Sequence, residues 1–260
     1  MYLKKWNQFR GINESKFETD FGKIIDLCVD VLHINPLEIH DDGTVDVGED
    51  VNFSWKDFDR LPIKFGRVDG SFFCPSTLTT LEGSPQFVQG TFYVGQNITS
   101  LEGGPSHVVG RYDCSGSKIK NLRGSPNFVG DWFVCGNSYL TSLEGAPDHV
   151  VLFYCVDAKI TNLVGMPKTI DLMADFRLCT ELNDPTGLRD VKISTLIIDK
   201  ATPISGLREI FPKSQDFIDS LDYGYIVRSG KEVKITKWRW EEALGELDIK
   251  RKKPRGYSWV

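Results

Sequence analysis

Apolar residues recur at a fixed interval through the middle of this chain, from residue 58 to residue 170. The clearest marker is a leucine with glycine two positions later and proline four positions later. An isoleucine, leucine or phenylalanine stands three positions before each marker leucine and before Leu61. Short segments that alternate apolar and polar residues precede these pairs. The three columns are Phe58, Leu78, Ile98, Ile119, Leu140 and Ile160; Leu61, Leu81, Leu101, Leu122, Leu143 and Leu163; and Val51/Phe53, Phe72/Cys74, Phe92/Val94, Tyr112/Cys114, Phe133/Cys135 and Phe153/Cys155.

This periodicity predicts a solenoid in which each repeat of 20 or 21 residues forms one coil. Alternation over a few residues is typical of a strand with one buried face. The glycine suits a turn that needs a positive φ, and the proline cannot continue a central strand. Equivalent strands should stack about 4.8 Å apart into a parallel sheet. The predicted fold is therefore a mainly β repeat solenoid.

Both ends of the repeat array depart from the pattern and predict caps. Ser15 to Glu18 matches a helix capping box, and Asn35-Pro36 would end the helix. One stripe of that helix contains Phe17, Phe21, Ile24, Cys28 and Leu32. We predict an N-terminal capping helix in 1–37, the solenoid in 38–207, and a small α+β C-terminal cap with a basic tail in 208–260. A partner-binding helix is the alternative for the N-terminal segment.

The outward positions of the predicted strands are rich in aromatic residues. Stacked on a parallel sheet, they would form a stripe that could bind a partner protein, because Tyr, Trp and Phe are common interface anchors. The alternative is that the terminal segments fold over this stripe and cover it. The candidate partner-binding residues are Phe73, Tyr93, Asp113, Trp132, Val134 and Tyr154.

Cysteines and histidines follow the repeat but do not form a metal motif. Cys74, Cys114, Cys135 and Cys155 share one inward column, where reduced thiols are expected to pack as small apolar groups. His107 and His149 are two coils apart, about 9.6 Å at strand spacing, too far to share a metal ion. We predict that both are half-buried corner residues. We expect no cofactor, no metal and no catalytic residue set.

Charge is distributed unevenly along the chain. Residues 38–50 contain six acids and no base, but their spacing does not match a calcium loop. An Asp-Gly turn that leads into the first strand is the preferred interpretation. The net charge of −5 argues mildly against a nucleic-acid partner. The basic tail nevertheless offers an alternative nucleic-acid site, at Lys250, Arg251, Lys252, Lys253 and Arg255.

The hydropathy of the chain predicts neither a membrane span nor a secretory leader. No apolar run approaches the roughly 18 residues that a membrane helix requires. The first residues lack the apolar core of a signal peptide. We expect a cytoplasmic protein with reduced thiols.

Several phrases resemble the leucine-rich-repeat-like proteins of T4-like tailed bacteriophages. They are Leu3-Lys-Lys-Trp-Asn-Gln-Phe9, Gly43-Thr-Val-Asp-Val47, Asp50-Val-Asn-Phe53, Leu61-Pro-Ile-Lys-Phe-Gly-Arg-Val68 and Leu140-Thr-Ser-Leu-Glu-Gly-Ala-Pro147. The resemblance implies a leucine-rich-repeat-like fold and a phage protein made in the host cytoplasm, and it brings no catalytic residues. The leading hypothesis is a non-enzymatic module that binds a host protein, as an inhibitor of a defence or regulatory factor. The alternative is a nucleic-acid-associated protein that uses the basic tail.

Overall fold

The computed structural model describes residue 17, residues 20–188, 191–198 and 202, and the backbone of residues 225–228. Helix α1 spans Phe21–Asp26 and continues as a π-helical segment, Leu27–Leu32. Fifteen strands follow in the described part of the chain. They are β1 (Pro36–Ile39), β2 (Thr44–Val47), β3 (Val51–Asn52), β4 (Lys64–Val68), β5 (Phe72–Phe73), β6 (Phe87–Val88), β7 (Phe92–Tyr93), β8 (His107–Val108), β9 (Tyr112–Asp113), β10 (Phe128–Val129), β11 (Trp132–Val134), β12 (His149–Tyr154), β13 (Thr169–Asp175), β14 (Lys192–Ile198) and β15 (Tyr225–Arg228).

The strands form a β-solenoid of about seven turns, as the repeat predicts. One sheet has nine strands in the order β15-β14-β13-β12-β11-β9-β7-β5-β3, and the other has six in the order β1-β2-β4-β6-β8-β10. Pairing between successive coils is parallel, for example Phe72 with Phe92 and Phe92 with Tyr112. Antiparallel pairs occur only at the ends of these described sheets, where β1 joins β2 and β15 joins β14.

The solenoid interior contains all three predicted apolar columns. Every residue of those columns is buried. The aromatic members of the third column form a core ring stack, in which neighbouring ring centroids are 5.4 to 5.7 Å apart. Its members are Phe72, Phe92, Tyr112, Phe133 and Phe153. The four cysteines of the inward column are buried free thiols, and so are Cys28 and Cys179.

The six-stranded sheet was not predicted from the sequence. Three of its strands follow a Gly-x-Pro corner and contain only two residues each, such as Phe87–Val88. The second residue points inward, so that Val88, Val108 and Val129 are buried. His107 lies in β8 of this sheet and His149 begins β12 of the nine-stranded sheet, so both lie in strands rather than in corners. His107 is partly buried as expected, but the His149 side chain is 52% exposed.

The glycine corners adopt the conformation that the sequence predicts. The glycines of the five marker phrases have φ between +83° and +92°. At Gly145 an added Cβ would lie 2.5 Å from the backbone of Arg123 in the preceding coil. These positions therefore need glycine both for the turn and for the close approach of the coils.

The helical segment fits an N-terminal cap on the solenoid. Asp20 is the N-cap, and its carboxylate accepts the Lys23 N–H at 3.0 Å. Ile24, Cys28 and Leu32 are buried as predicted, whereas Phe21 is 46% exposed and Leu27 is buried instead. Ser15 and Glu18, and most of the predicted C-terminal cap, lie outside the described residues.

Candidate functional site

Five of the six candidate partner-binding residues lie in one register column on the outer side of the nine-stranded sheet. Backbone pairing places Phe73 beside Tyr93, and Tyr93 beside Asp113. The column continues through Val134 to Tyr154. Trp132 belongs to the same strand as Val134, two residues earlier, and pairs with Leu152. These six residues, together with Arg111, are called the aromatic face below.

Two rings at one end of the aromatic face are partly accessible. Phe73 and Tyr93 stack with their centroids 4.9 Å apart and an angle of 13° between the ring planes. Both side chains are half-buried. Their backbones belong to paired strands, which fixes the position of the two rings. This pair offers a flat apolar surface of the kind that interface anchors use.

An ion pair forms the middle of the aromatic face. Arg111 Nη2 donates to Asp113 Oδ2 at 2.7 Å. Asp113 is only 5% exposed, and its Oδ1 accepts the N–H and the hydroxyl of Ser115. The Arg111 guanidinium carbon lies 5.8 Å from the ring centroids of both Tyr93 and Trp132. Arg111 therefore joins the accessible ring pair to the buried part of the face.

The other end of the face is a second apolar cluster outside the sheet. Trp132 is 9% exposed and Val134 is 3% exposed, and both pack with Leu152, Met173 and Ile197. The sequence interpretation allowed either an exposed aromatic stripe or one covered by the terminal segments, and in the structure Asp113, Trp132 and Val134 are buried. Apolar side chains from neighbouring strands bury Trp132 and Val134, whereas Asp113 forms its ion pair with Arg111.

Tyr154 lies between this apolar cluster and a buried ion pair. Arg177 Nη2 donates to Asp175 Oδ2 at 3.0 Å, and Asp175 pairs in register with Tyr154. Burial raises the pKa of the Tyr154 hydroxyl, and the nearby Asp175 carboxylate raises it further. Tyr154 is half-buried, so its neutral ring supplies a second partly accessible aromatic group.

A second set of stacked rings lies on the outer side of the six-stranded sheet. His107 stacks between Phe87 and Phe128, at centroid distances of 5.2 and 4.3 Å. The Arg67 guanidinium covers the other face of Phe87 at 4.5 Å. Phe128 is 40% exposed. The sequence interpretation assigned His107 to a half-buried corner and did not predict an accessible ring ladder.

The described residues also contain one group of side chains with suitable spacing for a metal ion. It consists of Glu38, His40 and Asp46, whose ligand atoms all lie within 4.8 Å of one another. The sequence interpretation expected no metal site and considered residues 38–50 only as a calcium loop or an Asp-Gly turn. The grouping depends on the pairing of β1 with β2, which brings Glu38 opposite Asp46, and this register cannot be read from the sequence.

The alternative nucleic-acid site lies outside the described residues, at Lys250, Arg251, Lys252, Lys253 and Arg255. Among the residues that the structure describes, no helix is long and apolar enough to cross a membrane. Comparisons with protein-family models, curated proteins and solved structures found no match to this chain.

Proposed function

We propose that this protein is a non-enzymatic interaction module that uses the aromatic face of its solenoid to bind a protein. The sequence resemblance to phage leucine-rich-repeat-like proteins supports a host protein as the partner, in the host cytoplasm. On the same basis, the proposed outcome of binding is inhibition of a host defence or regulatory factor.

The observation that carries this proposal is the half-buried stack of Phe73 and Tyr93 on a rigid parallel sheet. A protein interface gains most of its affinity from a few aromatic and arginine anchors that lose little freedom on binding. Arg111 supplies the adjacent cation, held by Asp113. Arg111 also lies 5.8 Å from the Trp132 ring, which connects the anchors to the buried cluster.

The test begins with affinity purification of the full chain from infected host cells, with nuclease and with washes at moderate and high salt. A protein recovered in fixed proportion is then purified, and its direct binding is measured by calorimetry. We expect Tyr93→Ala to weaken that binding about 30-fold or more, because loss of a central anchor costs about 2 kcal/mol. Tyr154→Ala should weaken it as well.

The matched control is Tyr139→Ala, which makes the same change at a tyrosine that is 58% exposed and outside both sheets. It should leave the affinity unchanged, and circular dichroism should show native folding for all three variants. Equal affinities of Tyr93→Ala and the unchanged protein would refute the aromatic face as the binding site. Recovery of nucleic acid that is released at high salt would instead favour the basic tail.

A further inference from the structure

The hairpin of β1 and β2 places two carboxylates opposite each other. Glu38 and Asp46 are register partners across the antiparallel pair. His40 directly follows β1, at the start of the turn that contains Asp42 and Gly43. Gly43 has a φ of +81°, and the Asp42 carboxylate accepts the Thr44 N–H at 3.0 Å. The turn therefore fixes the imidazole beside both acids.

One donor atom from each of the three residues lies within 4.8 Å of the other two. His40 Nε2 lies 3.2 Å from Asp46 Oδ2, and His40 Nδ1 lies 3.7 Å from Glu38 Oε1. Metal bonds of about 2.0 to 2.2 Å separate two ligands of a tetrahedral ion by roughly 3.3 Å, close to the first of these distances. The Glu38 side chain is 65% exposed, so it can rotate to bring its oxygen to the Nε2 side.

A contact from outside the group orients one of the ligands. Asp46 Oδ1 accepts the backbone N–H of Arg67, in the next coil, at 2.7 Å. The other oxygen is thereby directed to His40. Hydrogen bonds that fix a ligating carboxylate in this way raise metal affinity. In addition, like charges directly opposite in an antiparallel pair destabilise it, and a bound cation would offset that repulsion.

We propose that Glu38, His40 and Asp46 form a surface site for a divalent transition metal that prefers nitrogen and oxygen ligands, such as Zn²⁺ or Ni²⁺. One imidazole nitrogen and two carboxylates supply three ligands, and water completes the coordination. The imidazole favours these ions over Ca²⁺ and Mg²⁺, which take oxygen ligands. This site lies on the six-stranded sheet and is independent of the aromatic face.

Calorimetry of the full, untagged chain with ZnCl₂ and with NiCl₂ tests the proposal. We expect one ion per chain, and an affinity that falls about tenfold or more in His40→Asn and in Glu38→Gln, since each loses a ligand. Both substitutions are at accessible positions, and circular dichroism checks their folding. The metal should also raise the unfolding midpoint of the unchanged protein but not of His40→Asn.

His149 provides a matched control, because it forms a similar pair with Asp171, at 2.9 Å between Nε2 and Oδ2, but belongs to no three-donor group among the described residues. His149→Asn should bind Zn²⁺ as tightly as the unchanged protein. An absence of Zn²⁺ and Ni²⁺ binding, or equal losses in His40→Asn and His149→Asn, would overturn the proposal. Ca²⁺ binding of equal strength would overturn the assigned class of ion.

Discussion

At the scale of single residues, the core ring stack contains one member with a polar group. Tyr112 is fully buried between Phe92 and Phe133, and no described group forms a hydrogen bond with its hydroxyl. A buried hydroxyl without a partner loses its hydration and gains nothing in return. The four phenylalanines of the stack show that the ring alone satisfies the packing at this position of the coil.

We expect Tyr112→Phe to raise the free energy of unfolding by about 1 kcal/mol, because it removes this desolvated hydroxyl. Urea unfolding followed by circular dichroism measures the change. Tyr139→Phe removes an exposed hydroxyl and should have no effect. A loss of stability in Tyr112→Phe would mean that the hydroxyl is hydrogen-bonded to a buried water molecule.

At the scale of the structural element, the glycine corners determine how closely successive coils approach. Gly145 combines a φ of +92° with close contact to the Arg123 backbone. Gly116 also has a positive φ, of +71°, but among the described residues no atom would lie within 4 Å of an added Cβ. Comparing substitutions at the two positions therefore distinguishes the cost of backbone strain, present at both, from the steric cost of coil packing, present only at Gly145.

Gly145→Ala is expected to lower the free energy of unfolding by about 3 kcal/mol or more, since strain and backbone overlap act together. Gly116→Ala should cost about 1 kcal/mol, from strain alone. Chemical denaturation of the two variants gives the comparison. Equal costs would show that the corner can move aside and that coil contact at Gly145 contributes little.

The sequence predicts the nine-stranded sheet but not the six-stranded one, and the reason is physical. Alternation at Phe72/Cys74 and its equivalents predicts the nine-stranded sheet, because buried and outward side chains alternate over several successive residues. In the six-stranded sheet, short strands such as Phe87–Val88 contribute only one buried residue each, so no alternation of buried and exposed positions is visible in the sequence. Pairing with neighbouring coils creates these strands, so they are properties of the assembled solenoid.

In the candidate sites, too, the sequence predicts which residues align but not the contacts that depend on pairing between distant parts of the chain. The column from Phe73 to Tyr154 was predicted because the repeat fixes which residues align. The burial of Trp132 was not predicted, because it depends on Leu152 and Met173 from later coils. His40 was likewise not assigned a partner, because Asp46 reaches it only through the hairpin register.

At the scale of the whole molecule, buried thiols extend from the capping helix to the last regular coils. Burial raises the pKa of Cys28 to about 11, and burial also raises the pKa of Cys74 and Cys114. In the unfolded chain a thiol ionises near pH 8.5. Because the folded pKa is the higher one, this contribution to stability is complete below about pH 8.5 and is lost as the pH rises.

We therefore expect the free energy of unfolding to fall between about pH 8.5 and pH 11, by up to about 1.4 kcal/mol per pH unit for each such thiol. Cys74→Val should reduce the slope, because valine cannot ionise and Val94 already occupies the equivalent position in the next coil. Urea unfolding at pH 7.5, 9 and 10.5 provides the measurement. Parallel profiles of the two proteins would contradict the assignment of the slope to Cys74.

The parallel pairing of successive coils has a consequence for how the gene can evolve. Each regular coil presents the next one with the same strand pair, glycine corner and apolar columns. Duplication or deletion of the DNA that encodes one coil would therefore join two surfaces that already match. Such a gene can lengthen or shorten its product in steps of about 4.8 Å, with both ends unchanged. The number of coils can thus evolve separately from the fold.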